Sequence, residues 1–205
     1  MQYKVLTIAR EYGSGGAEVA GIVASRPGWR LVDKELLTEI SSRANVPVAD
    51  AGVLDEQVDP WLYRIMRPLW EMSAAGISAS TPVHPFDADA EAALAKQVIQ
   101  EAYCLGNCVI VGRGAQCVLQ TKPDVFHAFV YARWADRVHR ARARVPHGAD
   151  VNQSFHFMDD QRLEYVRRYY GENRLDPHLY DLMINSHNQS EASARLILLA
   201  MDAAG

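Results

Sequence analysis

Residues 5–24 have the sequence VLTIAREYGSGGAEVAGIVA, in which an apolar run, a glycine cluster and a helical pattern follow one another. The run at 5–9 is apolar and rich in β-branched residues, which predicts a strand buried on both faces. Beyond the glycines, Val19, Ile22 and Val23 recur at the spacing of a core-facing helix. Strand, glycine loop and helix in this order are typical of the opening of a phosphate-binding α/β domain.

The same alternation of strand and helix continues to the C-terminus. It predicts a mostly parallel sheet with right-handed crossovers and helices on both faces, in which ligands bind at the carboxyl ends of the strands. Helical spacing after residue 87, the Gly171 stop and a Ser190 cap mark the later helices. Further strands are predicted at 29–32, 108–111, 125–130 and 182–185, and helices at 133–144 and 152–170.

Length and composition limit the class of protein. The 205 residues fit one domain with a small insert, and 49% hydrophobic with 22% charged residues is ordinary for a globular chain. The net charge of −4 argues against general nucleic-acid binding, and the absence of eighteen consecutive apolar residues argues against a membrane span. No signal peptide is expected at the N-terminus.

The cysteines indicate a reducing compartment. Their number, three, is odd, so we expect a cytoplasmic protein without a disulfide framework. Cys104 and Cys108 lack a second ligand pair for a metal site, so buried core thiols are the favoured interpretation for them. Cys117 completes the set.

The glycine loop has the chemistry of a phosphate site but lacks one of its usual parts. Glycines let backbone N–H groups converge on an anion, and the following helix adds its positive end. A lysine and a hydroxyl residue normally follow the last glycine, whereas here Ala17 and Glu18 do. Arg10 is the nearest candidate for the missing positive charge. A simple strand–helix turn is the alternative interpretation.

Several motifs in fixed order resemble the cytidylate-kinase-like family. Residues 8–16, IAREYGSGG, resemble the family's S-R-E-Y-G-S-G-G opening, and residues 32–37, VDKELL, resemble its D-K-E-L-L segment. Residues 109–115, VIVGRGA, resemble its strand and turn, and residues 176–185, DPHLYDLMIN, resemble its D-P-x-x-Y-D-L-x-I-N ending. The matches run from residue 5 to about 188.

The resemblance implies a nucleoside-monophosphate-kinase fold of the P-loop type. It implies a five-stranded parallel core, an acceptor-binding helical insert at 48–86 and an arginine-bearing lid at 133–168. It also implies transfer of the γ-phosphoryl group from ATP, with Mg²⁺, to CMP or dCMP. ATP would then contact the residues of the loop, which are Arg10, Glu11, Tyr12, Gly13, Ser14, Gly15, Gly16 and Ala17.

Arginines of the predicted lid are candidates for stabilising the transferred phosphate. Arg133, Arg137, Arg140 and Arg144 share one face of a helix by their spacing, and a solvated face is the alternative to a functional one. The lid position favours Arg137 over Arg133 and Arg140, and Arg144 is the one most consistent with a surface residue. Asp159 and Arg162 fall on a D-x-x-R segment that the resemblance turns toward the phosphates; pairing with each other is the alternative.

Asp33 and Arg113 are the candidates for binding the acceptor, together with Asp159. Arg113 stands between two glycines after a buried strand, where its guanidinium could bind a phosphate with two hydrogen bonds. The alternative for Arg113 is pairing with a carboxylate, and for Asp33 it is a helix cap.

Three functions therefore remain open. The first is an active kinase for nucleoside monophosphates, monomeric or homodimeric. The second is a nucleotide-binding or regulatory module without catalysis, because the lysine is missing. The third is a kinase for another small acceptor, because the 48–86 insert resembles the family only loosely. No resident metal site is expected in any of them.

Overall fold

The computed structural model describes residues 3–33, 35–36, 88–142, 150–187 and 189–204. The chain divides into two compact units: one contains Met1–Val32 and Leu105–Gly205, and the other contains Asp33–Cys104. The predicted insert at 48–86, part of the predicted lid and Arg144 lie outside the described residues.

The first unit is built on a five-stranded sheet in the order β2-β3-β1-β4-β5. All four strand pairs are parallel. The predicted fold class, a parallel sheet flanked by helices, is confirmed. Its strands are β1 (Val5–Arg10), β2 (Arg30–Val32), β3 (Cys108–Val111), β4 (Val125–Tyr131) and β5 (Leu182–Asn185).

The helices differ from the sequence expectations mainly at their ends. The predicted helix at 133–144 is shorter, with Arg133 as its N-cap, and Ser190 is the first residue of the last helix rather than its cap. Gly171 ends its helix as predicted, with a φ of 72°. The described helices are α1 (Gly16–Ala24), α2 (Ala88–Leu105), α3 (Ala115–Val118), α4 (Trp134–Ala141), α5 (Val151–Tyr170) and α6 (Ser190–Ala204).

The sheet lies inside the first unit because its central strands are apolar on both faces. Every residue of β3 is buried, as are the first five of β1. Leu6, Ile8 and Phe126 face a cluster that α1 and α6 complete, through residues such as Val19 and Ile197. At about 25 cal/mol per Å² of apolar surface, such burial is the main driving force for this unit.

The three cysteines are free thiols in different environments. Cys108 is buried, as expected, and its burial raises the pKa of its thiol to about 12. Cys117 is half-buried, and burial raises the pKa of its thiol to about 11. The expectation of a core thiol is wrong for Cys104, which lies on the exposed side of α2.

The parts of the chain that the structure describes contain no helix long and apolar enough to span a bilayer.

A buried histidine is expected to make the stability of this unit depend on pH. His127 Nδ1 lies 2.7 Å from Thr7 Oγ1, and burial lowers the pKa of the imidazole although Asp181 opposes the shift. The folded protein therefore holds His127 neutral while the unfolded chain protonates it. Stability should fall as the pH drops below about 6.5, the ordinary histidine value. Urea unfolding at pH 7.5 and 5.5 measures this loss.

Two variants isolate the contribution of His127. His127→Gln should lose less stability between these pH values than the unmodified chain does. His139→Gln is the matched control, because His139 is exposed on α4. An equal loss in all three proteins would show that His127 is not the cause.

Candidate functional site

The glycine loop connects β1 to α1 through two residues in the left-handed region. Gly13 has a φ of 77° and Gly15 a φ of 81°, a conformation that side chains strongly disfavour. Gly15 is the N-cap of α1 and no side chain caps the helix there. The first amides of α1 have no partner within the helix, so this end of α1 can bind an anion.

Every carbonyl group from residue 10 to residue 14 accepts a hydrogen bond from a side chain. Most of these donors come from residues more than 120 positions away in the sequence. The bonds are Arg174 Nη1 to Arg10 O (2.8 Å), Ser14 Oγ to Glu11 O (2.9 Å), Arg137 Nε to Tyr12 O (2.7 Å), Arg140 Nη1 to Gly13 O (2.8 Å) and Ser186 Oγ to Ser14 O (2.7 Å).

Asp159 is the carboxylate around which several of these arginines gather. Its Oδ1 accepts a hydrogen bond of 2.8 Å from the Tyr12 amide and lies 3.6 Å from both Arg162 Nη1 and Arg174 Nη2. Its Oδ2 pairs with Arg137. The pairing between Asp159 and Arg162 that the sequence left open is present, and Arg162 also donates to Arg10 O at 3.3 Å.

Arg137 is buried against the loop. Its guanidinium carbon lies 5.5 Å from the centre of the Trp134 ring and 5.3 Å from that of Phe155, and its Nη1 lies 3.5 Å from Glu11 Oε2. Only 8% of the residue is exposed, so a solvated face does not describe it. Arg133, in contrast, is exposed at the start of α4. The structure therefore brings Arg137 to the loop and leaves Arg133 at the surface.

Two arginines at this site were missed or ranked low by the sequence argument. Arg174 is 5% exposed and follows α5 in an irregular segment, where no periodic pattern marks it. The spacing of Arg140 from Arg137 was the available signal for Arg140. Burial lowers the pKa of Arg162 and Arg174, while the neighbouring Asp159 opposes that shift.

Arg10 and the Gly112 turn form a second part of the site, at the carboxyl ends of β1 and β3. The Arg10 side chain fills the space beside Gly112, where an added Cβ would lie 2.0 Å from Nη1. Arg113 has a φ of 54°, and its carbonyl accepts a 3.1 Å bond from the Tyr170 hydroxyl. Its guanidinium lies 5.7 Å from the centre of the Tyr165 ring.

Asp33 belongs to the second unit, where its carboxylate accepts a 3.0 Å bond from the Leu36 amide. This is the capping arrangement that the sequence offered as an alternative. Among the described residues, no three histidine, cysteine or acidic side chains are grouped to hold a metal ion.

The comparison with protein families agrees with this geometry. The model of the cytidylate kinase-like family matches residues 5–188. The chain belongs to this family. Membership supports phosphoryl transfer as the general chemistry of the site and confirms the resemblance that the ordered motifs carry. No curated protein sequence gives a significant match.

Solved structures similar to the chain share its fold. An uncharacterized protein from Eubacterium ventriosum is 22% identical with a TM-score of 0.61, covering 97% of this chain and 98% of that one. Shikimate kinase from Bacteroides thetaiotaomicron is 15% identical, with a TM-score of 0.53 and coverage of 97% and 98%. Shikimate kinase from Acinetobacter baumannii, solved with shikimate, is 12% identical, with a TM-score of 0.51 and coverage of 98% and 94%.

Substitution of Gly15 is expected to damage the loop. A Cβ on Gly15 would lie 2.8 Å from Arg140 Cζ, and the positive φ adds strain of about 1–2 kcal/mol. Gly15→Ala should therefore lower the free energy of unfolding by at least that amount and weaken ATP binding. Chemical denaturation and isothermal titration calorimetry measure the two effects.

Gly21→Ala is the matched control, because Gly21 lies in the interior of α1 and no atom stands within 4 Å of the added Cβ. Replacing a helical glycine by alanine should raise stability by about 0.5–1 kcal/mol and leave ATP affinity unchanged. Equal stability and ATP affinity in the Gly15 variant and the unmodified protein would contradict this account of the loop.

Proposed function

We propose that the protein transfers the γ-phosphoryl group of Mg-ATP to a nucleoside monophosphate, with CMP or dCMP as the acceptor. The observation that carries the proposal is the loop at 10–16, whose carbonyl groups are all engaged by side chains up to residue 14 while α1 begins at its end. Family membership supports the reaction type. The choice of acceptor rests on the resemblance alone.

The donor set suits a triphosphate. The first amides of α1 supply neutral hydrogen-bond donors and the positive end of the helix dipole. Phosphoryl transfer depends mainly on positioning and charge stabilisation. The positive charge that it needs is available from the arginines beside the loop. ATP is thus bound, in this proposal, with its phosphates along residues 10–17, which include the exposed Ala17.

Arg10 is assigned to the position of the missing lysine. Its backbone ends β1, and its side chain extends from the loop to Gly112, on the neighbouring strand β3. The guanidinium of Arg10 is therefore close to both the glycine loop and the Gly112–Arg113 turn. The same proposal keeps Arg133, Arg137 and Arg162 as the arginines of the transfer step, with Arg137 and Arg162 already in contact with the loop.

Mg²⁺ is part of the substrate in this proposal, carried by ATP. In the part of the chain that the structure describes, no three histidine, cysteine or acidic side chains are grouped to hold a metal ion, and Ala17 has no side-chain oxygen. Mg²⁺ commonly keeps several waters and binds phosphate oxygens with few protein ligands.

Arg113 and Asp159 are assigned to the acceptor in the first unit, and Asp33, which belongs to the second unit, stays a sequence-based prediction for the same role. In the transfer step an oxygen of the acceptor phosphate forms a bond to the γ-phosphorus of ATP, and the bond between that phosphorus and the β–γ bridging oxygen breaks. ADP leaves with the electron pair of the broken bond. Arg113 would hold the acceptor phosphate through paired hydrogen bonds, for which guanidinium geometry is suited.

A binding module without catalysis is the second candidate, and the alanine at position 17 is the observation that favours it. A kinase for another small acceptor is the third candidate, and the shared fold of the shikimate kinases makes shikimate one compound worth testing.

ADP release with Mg-ATP and each common nucleoside monophosphate separates these candidates. We expect turnover with CMP or dCMP well above that with AMP, GMP or UMP. Turnover with shikimate instead would favour the third candidate. ATP binding by calorimetry without turnover on any acceptor would favour the binding module.

Alanine at Arg10 or Arg113 should lower kcat/KM by roughly a hundredfold or more, the usual cost of removing a group that stabilises transition-state charge. Arg10→Ala should act mainly on ATP, and Arg113→Ala mainly on the monophosphate. Steady-state kinetics with each substrate varied in turn measures both effects. Arg167→Ala is the control, since Arg167 is exposed on α5; unchanged kinetics in the Arg10 and Arg113 variants would contradict these assignments.

A further inference from the structure

The side chains that donate hydrogen bonds to the carbonyl groups of the loop determine which way its amide groups point. All described peptide bonds are trans, and in a planar trans peptide the C=O of one residue and the N–H of the next point in opposite directions. A donor that holds a carbonyl on one side therefore directs the next amide to the other side. This relation connects the side-chain contacts of the loop to its ability to bind phosphate.

Three successive peptides are held in this way. Arg137 holds the carbonyl of Tyr12 and so directs the Gly13 amide, and Arg140 holds the carbonyl of Gly13 and so directs the Ser14 amide. Ser186 holds the carbonyl of Ser14 and directs the Gly15 amide. The amides that follow, at the start of α1, are directed by the helix itself.

Amides on the far side of these contacts are the ones left for a ligand. The Tyr12 and Ser14 amides are excluded, because Asp159 accepts the hydrogen bond of the first and the Glu11 carbonyl accepts that of the second, at 3.3 Å. The ligand-facing set thus begins with the amides of Gly13 and Gly15, whose directions depend on side chains from two other elements. Those elements are α4 and the segment after β5.

Arg140 also brings positive charge to the loop. Its side chain is 8% exposed, and it lies so close to Gly15 that a Cβ added there would be only 2.8 Å from the Arg140 Cζ. Its Nη2 has no hydrogen-bond partner among the described residues, and the nearest carboxylate oxygen in an ion pair, on Glu18, is 3.9 Å from Nε. Because the positive charge of this guanidinium is only weakly neutralised, it favours the binding of an anion to the adjacent backbone amides.

Ser186 has a different character, because it acts by hydrogen bonding alone. It is 1% exposed, and its hydroxyl donates to the Ser14 carbonyl at 2.7 Å. Its own amide donates to the carbonyl of Tyr131, so the residue is fixed to the end of β4 as well as to the loop. Ser186 therefore ties the loop to the sheet.

We propose that Arg140 and Ser186 are positioning residues that hold the loop at 13–15 in the conformation that binds a polyphosphate. The proposal rests on the proposed function, in that the polyphosphate is the triphosphate of ATP. Neither residue touches the transferred group: Ser186 acts through the Ser14 carbonyl and the Gly15 amide behind it, and Arg140 acts by holding the Gly13 carbonyl and by placing its charge beside Gly15.

Calorimetric titration with ATP and with inorganic tripolyphosphate tests the proposal directly. Ser186→Ala should weaken both ligands by about 3- to 10-fold, the effect expected for the loss of one neutral hydrogen bond. Arg140→Met should weaken both by about 10- to 100-fold, because that bond is charged. The ratio of the two affinities should stay constant, since neither residue is assigned to the nucleoside.

Matched controls separate positioning from general stability. Ser193→Ala removes a buried hydroxyl that bonds only within the region of α6, to the Gln189 carbonyl at 2.9 Å, and Arg167→Met removes an exposed arginine. Both should keep the affinities of the unmodified protein. Kinetics adds a second readout: the KM for ATP should rise in Ser186→Ala while the KM for the monophosphate does not.

The outcomes distinguish this inference from the proposed function. Unmodified affinity for tripolyphosphate in both Ser186→Ala and Arg140→Met would overturn the inference even if the enzyme phosphorylates CMP. Binding that weakens as expected, without turnover on any acceptor, would support the inference and overturn the proposed function. No binding of ATP or tripolyphosphate by the unmodified protein would overturn both.

Discussion

A backbone loop that binds phosphate must present its amides on one side, and its carbonyl groups must then be satisfied on the other. An unsatisfied buried carbonyl costs about 1–3 kcal/mol, so several together would unfold so short a loop. Here the carbonyls of residues 10–14 are satisfied by side chains from α4, from the region of α5 and from the segment after β5, and in the case of Glu11 by Ser14 of the loop itself. The loop conformation therefore depends on the packing of the whole first unit around it.

The arginines that satisfy these carbonyls create an electrostatic problem that Asp159 largely solves. Arg137, Arg162 and Arg174 each lie within ion-pair distance of its carboxylate, and Glu11 adds a second one near Arg137. Removing charges from water is costly unless partners and hydrogen bonds compensate. Three guanidinium groups against two carboxylates leave a positive excess beside the loop, which is the sign that a phosphate ligand requires.

The sequence was sufficient for the fold and for the loop, but not for the contacts around it. The run at 5–9 and the glycines after it predict β1 and its turn from local rules, and β5 was predicted with its observed bounds. Arg174 and Ser186 could not be found in this way, because they lie in irregular segments and meet the loop only when distant strands pair. A local pattern carries no information about which side chain reaches a carbonyl more than 150 positions away.

The arginines on one face of α4 show the same limit of prediction from sequence. Its arginine spacing was visible, but spacing alone does not distinguish a face that packs on the loop from one that meets solvent. Arg137 packs against the Phe155 ring and beside Gly13, and Arg140 packs beside Gly15. Neither glycine has a side chain that would fill this space. Arg133 precedes the first turn of α4 and remains exposed, so about one turn of helix separates a buried arginine from a solvated one.

One element links both parts of the site. The N-terminal half of α5 meets the loop through Phe155 and Asp159, and its last turns meet the Gly112 turn, where the Tyr170 ring leaves no room for a side chain on Gly114. A helix of 20 residues is about 30 Å long, which lets α5 contact both places. This helix is therefore the physical connection between the donor and the acceptor sides of the proposed reaction.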